Sequence, residues 1–289
     1  MYERILVPVD FSDHSKAVVK WIPTLKQLGL KEVYLLHVLD ELKIEHPAGG
    51  YDVTQLMEDY MKEAKEKLRE YSDLIGGKLK VNICAIWAGD PATIIVKQAE
   101  ELNVDLIVMP TAGKGWFKEL ILGSTSRKVA RLSTKPVLLV KKEWMEEERD
   151  YNFDHIMVSG WIDDPGNTSE IELIKCELEE SKKLARAFYE NTGVKPLIRV
   201  FAVLTRNDKK SIPQLKNTLE YLMENGNSYY NHDVIVWIGD PVEDLKKAAA
   251  SFDADVLIVS AKKAYKGLSL GWRLTSLLAS VDIPIYVCK

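Results

Sequence analysis

The chain has little cysteine, and none at a spacing that would put it to use. Cys84, Cys176 and Cys288 stand far apart among 289 residues, with no second Cys or His at metal-ligand spacing. Each falls in an apolar or helical stretch, where a small buried hydrophobe in a reduced, cytoplasmic protein is expected. No apolar run approaches the ~20 residues that span a bilayer. Met1-Tyr2-Glu3-Arg4 passes straight into a strand-like apolar run, so neither a secretion signal nor a membrane partner is expected. Charge of one sign is missing too. With 39 Lys+Arg against 43 Asp+Glu, the net charge of −4 gives nucleic acid no electrostatic pull. There is no G-x-x-x-x-G-K-[ST] loop, no G-x-G-x-x-G after the first strand and no H-E-x-x-H. His14, His37, His46, His155 and His232 are scattered and read as surface or structural residues. No Ser-His-Asp or Cys-His pairing follows from their spacing.

What is present is a repeat. Gly89-Asp90-Pro91 returns as Gly239-Asp240-Pro241, and Asp105-Leu106-Ile107-Val108 as Asp255-Val256-Leu257-Ile258, both at an offset of 150. Ile5-Leu6-Val7 matches Ile156-Met157-Val158, and Pro136–Val140 matches Pro284–Val287. These landmarks describe a tandem duplication: residues 1–142, a linker at 143–153 and residues 154–289. The run Glu146-Glu147-Glu148-Arg149-Asp150 reads as a solvated linker.

Each half alternates strands and helices. In the first, strands are expected at 5–10, 33–39, 79–87, 106–109 and 137–140, and helices at 13–28, 54–74, 92–102 and 124–132. The second half keeps this order, with a longer first helix near 170–189 and a shorter second one after Ser211. Alternation with helical crossovers predicts an α/β protein of two tandem, doubly wound, five-stranded parallel-sheet domains. With strand order 3-2-1-4-5, a ligand crevice lies between the carboxyl ends of strands one and four. Strand one ends in Pro8-Val9-Asp10 and strand four in Met109-Pro110-Thr111-Ala112-Gly113, and the next helix opens with Gly123-Ser124-Thr125-Ser126. Glycine and hydroxyls at a helix start suit a phosphate, but Gly123-Ser124 equally reads as a plain N-cap and Asp10 as a turn residue.

Ile5-Leu6-Val7-Pro8-Val9-Asp10, Leu36-His37-Val38, Gly89-Asp90-Pro91-Ala92 and Gly113-x9-Gly123-Ser124 resemble the universal stress protein family. The resemblance covers 1–142 fully and 154–289 in framework only. It implies an adenine nucleotide alpha hydrolase-like fold and a regulatory protein that binds ATP, with AMP and ADP as alternatives, without efficient turnover. It also implies roles. Pro8 and Asp10 would face the ribose, Val38 the adenine, and Met109 the base and ribose. Gly113, Gly123, Ser124 and Thr125 would hold the phosphates, which in turn would hold Mg2+ or Mn2+. Pro110 stands where the family motif has its first glycine, and proline has no N–H to donate. In the second half Trp161 takes the place of Asp10, Ser260 that of Pro110 and Trp272 that of Ser124, so two indoles are expected to fill that crevice.

The alternative is a universal stress protein without nucleotide binding, acting on an unknown protein partner. No enzyme is expected, because nothing stands out as a base or arginine finger for ATP hydrolysis. The short apolar fifth strands are edges that need covering. In the family such strands pair antiparallel, so the halves are expected to form an intramolecular pseudo-dimer, open to further homo-oligomerisation.

Overall fold

The fold is that of a computed structural model describing residues 2–40, 53–77, 79–111, 123–146, 152–224, 228–260, 275–278 and 280–289. The first half contributes β1 (Arg4–Pro8), α1 (Asp13–Trp21), β2 (Glu32–Asp40), α2 (Val53–Ile75), β3 (Lys80–Ala88), α3 (Pro91–Glu101), β4 (Leu106–Pro110), α4 (Ser124–Leu132) and β5 (Val137–Val140). A short α5 (Lys142–Glu146) leads into β6 (His155–Ile162), α6 (Thr168–Thr192), β7 (Leu197–Leu204), α7 (Ile212–Glu224), β8 (Asn231–Ile238), α8 (Pro241–Ser251), β9 (Val256–Ser260) and β10 (Ile285–Cys288).

Among the described residues the strands form one ten-stranded sheet, β3-β2-β1-β4-β5-β10-β9-β6-β7-β8. Each half has the expected order. All pairings are parallel except β5 with β10, which run antiparallel with Leu138 opposite Tyr286. The two apolar edges thus cover one another. Central strands are buried on both faces, so β4, β5, β9 and β10 read as unbroken apolar runs. Two apolar layers result, one on each face of the sheet, and both draw on the two halves. Polar contacts also cross the join. The Tyr2 and Tyr286 hydroxyls lie 3.0 Å apart, and Tyr286 donates to Glu180. Lys289 donates to the Ala130 carbonyl in the last turn of α4.

The repeated Gly-Asp-Pro is a helix cap. Asp90 accepts from the Thr93 amide and Asp240 from those of Val242 and Glu243, with proline in each first turn. Thr93 and Lys128 hold the Asp90 carboxyl down, to about 2. Gly160 marks a close approach, since a Cβ there would meet Ala202 at 2.8 Å.

Two expectations change. The helix expected at 13–28 ends at Trp21, and Ile22–Leu28 is a 3-10 helix carrying Pro23 near its start. Proline cannot donate back to the preceding turn, so the coil tightens there although its apolar spacing continues. Gly29 stops it at φ +88°. The joining segment is also not simply a solvated run. Trp144 on α5 and Phe153 ahead of β6 are buried, and both rings pack against Trp21. Residues 147–151, with most of the charge run, lie outside the described residues.

At the amino ends of β6 and β9, Asp154, His155 and Asp255 bring one ligand atom each within 4.8 Å of one another. The Asp255 carboxylate accepts from the His155 amide, yet burial, then the hydrogen bond and charge of Asp154, push its carboxyl up to about 7. The folded chain therefore holds a proton that the unfolded chain releases near pH 4. That contribution is complete below about pH 4 and lost as pH rises through about 7. Asp255→Asn should melt above the parent at about pH 8, with the gap narrowing as pH falls and closing near pH 4. Parallel melting curves across that range would show that the pair does not share a proton.

Candidate functional site

The crevice forms where β1 and β4 lie side by side and their chains leave in opposite directions. Asp10 follows β1 and is half-buried; its carboxylate accepts from the Ser12 amide at 3.0 Å and from the Ser12 hydroxyl. The turn reading of Asp10 is therefore correct, and the aspartate is held at the strand end by its own loop. Phe11 adopts φ +58°, a conformation that costs a bulky residue about 1–3 kcal/mol. Its ring packs on His37 at 4.3 Å and on Tyr71 at 5.5 Å, which helps to offset that cost. His37 Nδ1 lies 2.7 Å from the Val9 carbonyl, which can only accept, so this nitrogen carries the proton. A strained turn buttressed by aromatic rings thus presents Asp10 at the crevice.

Across from it, Met109 and Pro110 are buried at the end of β4, and the Pro110 carbonyl accepts from the Ser126 hydroxyl at 2.8 Å. The sequence places Ser126 among the hydroxyls of the helix start but gives no sign that it turns back to the strand end. The Gly123 amide donates to the Thr111 carbonyl at 2.7 Å, so the end of β4 and the start of α4 meet. Gly123 is the N-cap of α4 and supplies no side-chain acceptor to the first-turn amides. Ser124 is exposed there and Thr125 half-buried. Pro8 is buried in β1, and Val38 is half-buried in β2, which pairs with β1. Of the expected site residues, Pro8, Asp10, Val38, Met109 and Pro110 fall at the carboxyl ends of the three adjacent strands β2, β1 and β4, and Gly123, Ser124 and Thr125 at the start of α4. Gly113 lies outside the described residues. A shallow cavity of about 380 Å³ runs along α1, past Lys16, Lys20 and Lys142, rather than across these strand ends.

The universal stress protein family model matches residues 1–141. Universal stress protein MJ0577 of Methanocaldococcus jannaschii is 36% identical over 160 residues, which are 50% of this chain and 97% of that protein. The chain belongs to the universal stress protein family. A second protein from that organism, universal stress protein MJ0531, is 32% identical over 49% of this chain and 84% of its own length. Such relatives correspond to one half of the present chain. A solved universal stress protein from Archaeoglobus fulgidus aligns with 99% of this chain and 96% of its own at a TM-score of 0.69 and 21% identity, a likeness of fold.

The second half differs from the first at the crevice, in a way the sequence only half anticipates. Trp161 is buried where Asp10 stands in the first half, its Nε1 donating to Asp163 at 3.3 Å. Instead of turning at a strained residue, β6 runs on through Trp161 to Ile162. Trp272 and Gly271 lie outside the described residues. The unanticipated groups are two glutamates of α6. Glu177 is completely buried, and its Oε1 accepts from the Ser260 amide at 2.7 Å, at the strand end that matches Pro110. Glu170, one heptad earlier on the same helix face, is buried and accepts from the amides of Asp163 and Asp164. These backbone donors, at the carboxyl ends of β6 and β9, already serve carboxylates of the chain itself. Their signal is in the sequence: Glu170, Ile174, Glu177, Leu178 and Ser181 fall on one helical stripe. Among the described residues, no helix is long and apolar enough to cross a membrane.

Proposed function

We propose that the first half binds an adenine nucleotide, ATP or its di- or monophosphate, as a regulatory ligand, and that the second half binds none. The observation that carries this reading is the placement of Asp10 opposite the start of α4 across the switch point of one half-sheet. Asp10 offers a charged acceptor for ribose hydroxyls. The first-turn amides of α4, with Ser124 and Thr125, offer donors to phosphate. Any Mg2+ or Mn2+ would be held chiefly by the phosphates, because one carboxylate and two hydroxyls are a sparse set of protein oxygens. In the second half an incoming phosphate would meet the carboxylates of Glu170 and Glu177, and like charges at close range repel. The protein is read as a binding module of the cytoplasm rather than an enzyme.

One observation favours the second reading, an interaction protein without nucleotide. Pro110 has no amide, and its carbonyl is tied to Ser126, so β4 ends in a backbone that donates nothing to a ligand. One lost hydrogen bond costs about 1 kcal/mol, which weakens a site without abolishing it.

Asp10→Ala tests the nucleotide reading. The substitution is expected to weaken ATP binding by about 1.5–3 kcal/mol, through loss of a charged acceptor. The Ser12 contacts break as well, so stability should fall by about 1 kcal/mol. Asp10→Asn keeps an acceptor for Ser12 and should recover most of the stability but little of the affinity. Unchanged ATP affinity in both variants, by calorimetry, would take Asp10 out of the site.

A further inference from the structure

Two of the three thiols that the sequence scatters meet in the fold. Cys176 lies on α6 and Cys288 closes β10, 112 residues further along the chain. Their Sγ atoms are 3.8 Å apart, a contact between sulfurs that is about 1.8 Å longer than a disulfide bond. Cys176 is half-buried, the more accessible residue of the two, and its Sγ also contacts the Lys289 carbonyl at 3.2 Å. Cys288 is fully enclosed. Cys84 stands apart on β3 and serves as an internal reference.

We propose that Cys176 and Cys288 are a dithiol–disulfide pair closed by a peroxide, forming a covalent clasp between α6 and the strand that joins the two half-sheets. The Cys176 thiol releases its proton, and its sulfur bonds to one peroxide oxygen as the oxygen–oxygen bond breaks, giving a sulfenic acid. The other oxygen leaves as hydroxide that takes up the released proton to become water. The Cys288 sulfur, already in contact, then attacks the Cys176 sulfur. The sulfur–sulfur bond forms, the sulfur–oxygen bond breaks, and the hydroxyl leaves with the Cys288 proton as a second water. Two thiols and one peroxide give one disulfide and two waters.

Position assigns the order. The contact with Cys176, burial and the nearby Glu177 all push the Cys288 thiol up, which suits it to a second step driven by proximity rather than acidity. The consequence lies at the join. β10 pairs with β9 of its own half and with β5 of the other, so a bond to α6 fastens the strand on which the continuous sheet depends. The clasp also closes a long loop, which restricts the unfolded chain. For a loop of this length the melting temperature should rise by about 10 °C.

The full chain is treated with hydrogen peroxide, denatured, alkylated with iodoacetamide and mapped by mass spectrometry. The expected result is a cross-linked peptide pair bearing Cys176 and Cys288, with Cys84 the only alkylated cysteine. The melting temperature should rise and return on treatment with dithiothreitol. Cys176→Ser, a small change at a half-buried site, should abolish both effects. Alkylation of all three cysteines after peroxide would overturn the proposal. So would a Cys176 that ends as sulfinic acid while Cys288 remains alkylated, and mapping of the unsubstituted chain decides this whether or not the variant folds.

Discussion

Trp144→Ala is expected to remove about 4 kcal/mol of stability, within the 3–5 kcal/mol found when a buried tryptophan or phenylalanine is truncated. The side chain is 2% exposed and meets Trp21 edge-to-face, with ring centroids 5.7 Å apart. Truncation leaves a cavity between α5 and α1 that the surrounding backbone cannot close. The effect should also reach the junction, because Phe153 packs on the same Trp21 ring at 6.3 Å. The urea midpoint should fall with the slope unchanged, and proteolysis between residues 144 and 153 should quicken. A loss below about 1 kcal/mol would mean that the indole is not held in the core.

Glu177→Ala is expected to cost about 3 kcal/mol. The carboxylate is wholly buried, and the Ser260 amide loses a charge-assisted acceptor, a bond worth about 1.5–3 kcal/mol before any cavity is counted. Glu177→Gln keeps an oxygen for that amide and should cost about a third as much. Equal midpoints for the alanine variant and the parent would show that Ser260 does not depend on this carboxylate. Since Glu177 also helps to hold the Cys288 thiol up, thiol reactivity in the glutamine variant gives a second reading of the same contact.

Periodicity and punctuation carried most of the architecture. The pattern places α4 and β5 to the residue, and the strand order follows from alternation with helical crossovers. Apolar spacing did not reveal the change of coil at Pro23, because 22, 25 and 28 suit a 3-10 turn as well as an α-turn. The buried ends of the joining segment were masked by composition. One tryptophan at its start and one phenylalanine at its end do not outweigh a run of charges between them.

At the site, single residues decided the outcome. Asp10, Pro110 and Gly123 could be placed because they punctuate strand and helix ends, where backbone chemistry is local. Glu177 could not, because its partner Ser260 is 83 residues away and a glutamate on a long helix reads first as solvated. The same separation hid Cys176 and Cys288. Pairings of this kind depend on how α6 lies across β9 and β10, which local pattern does not specify.

Calorimetric titration of the full chain with ATP and Mg2+ tests the asymmetry between the halves most directly. The expected result is a stoichiometry near one per chain, abolished by substitution of Gly123 and Ser124 together and unchanged by substitution of Gly271. Two equivalent sites, or a single site that survives the Gly123 and Ser124 changes, would contradict it.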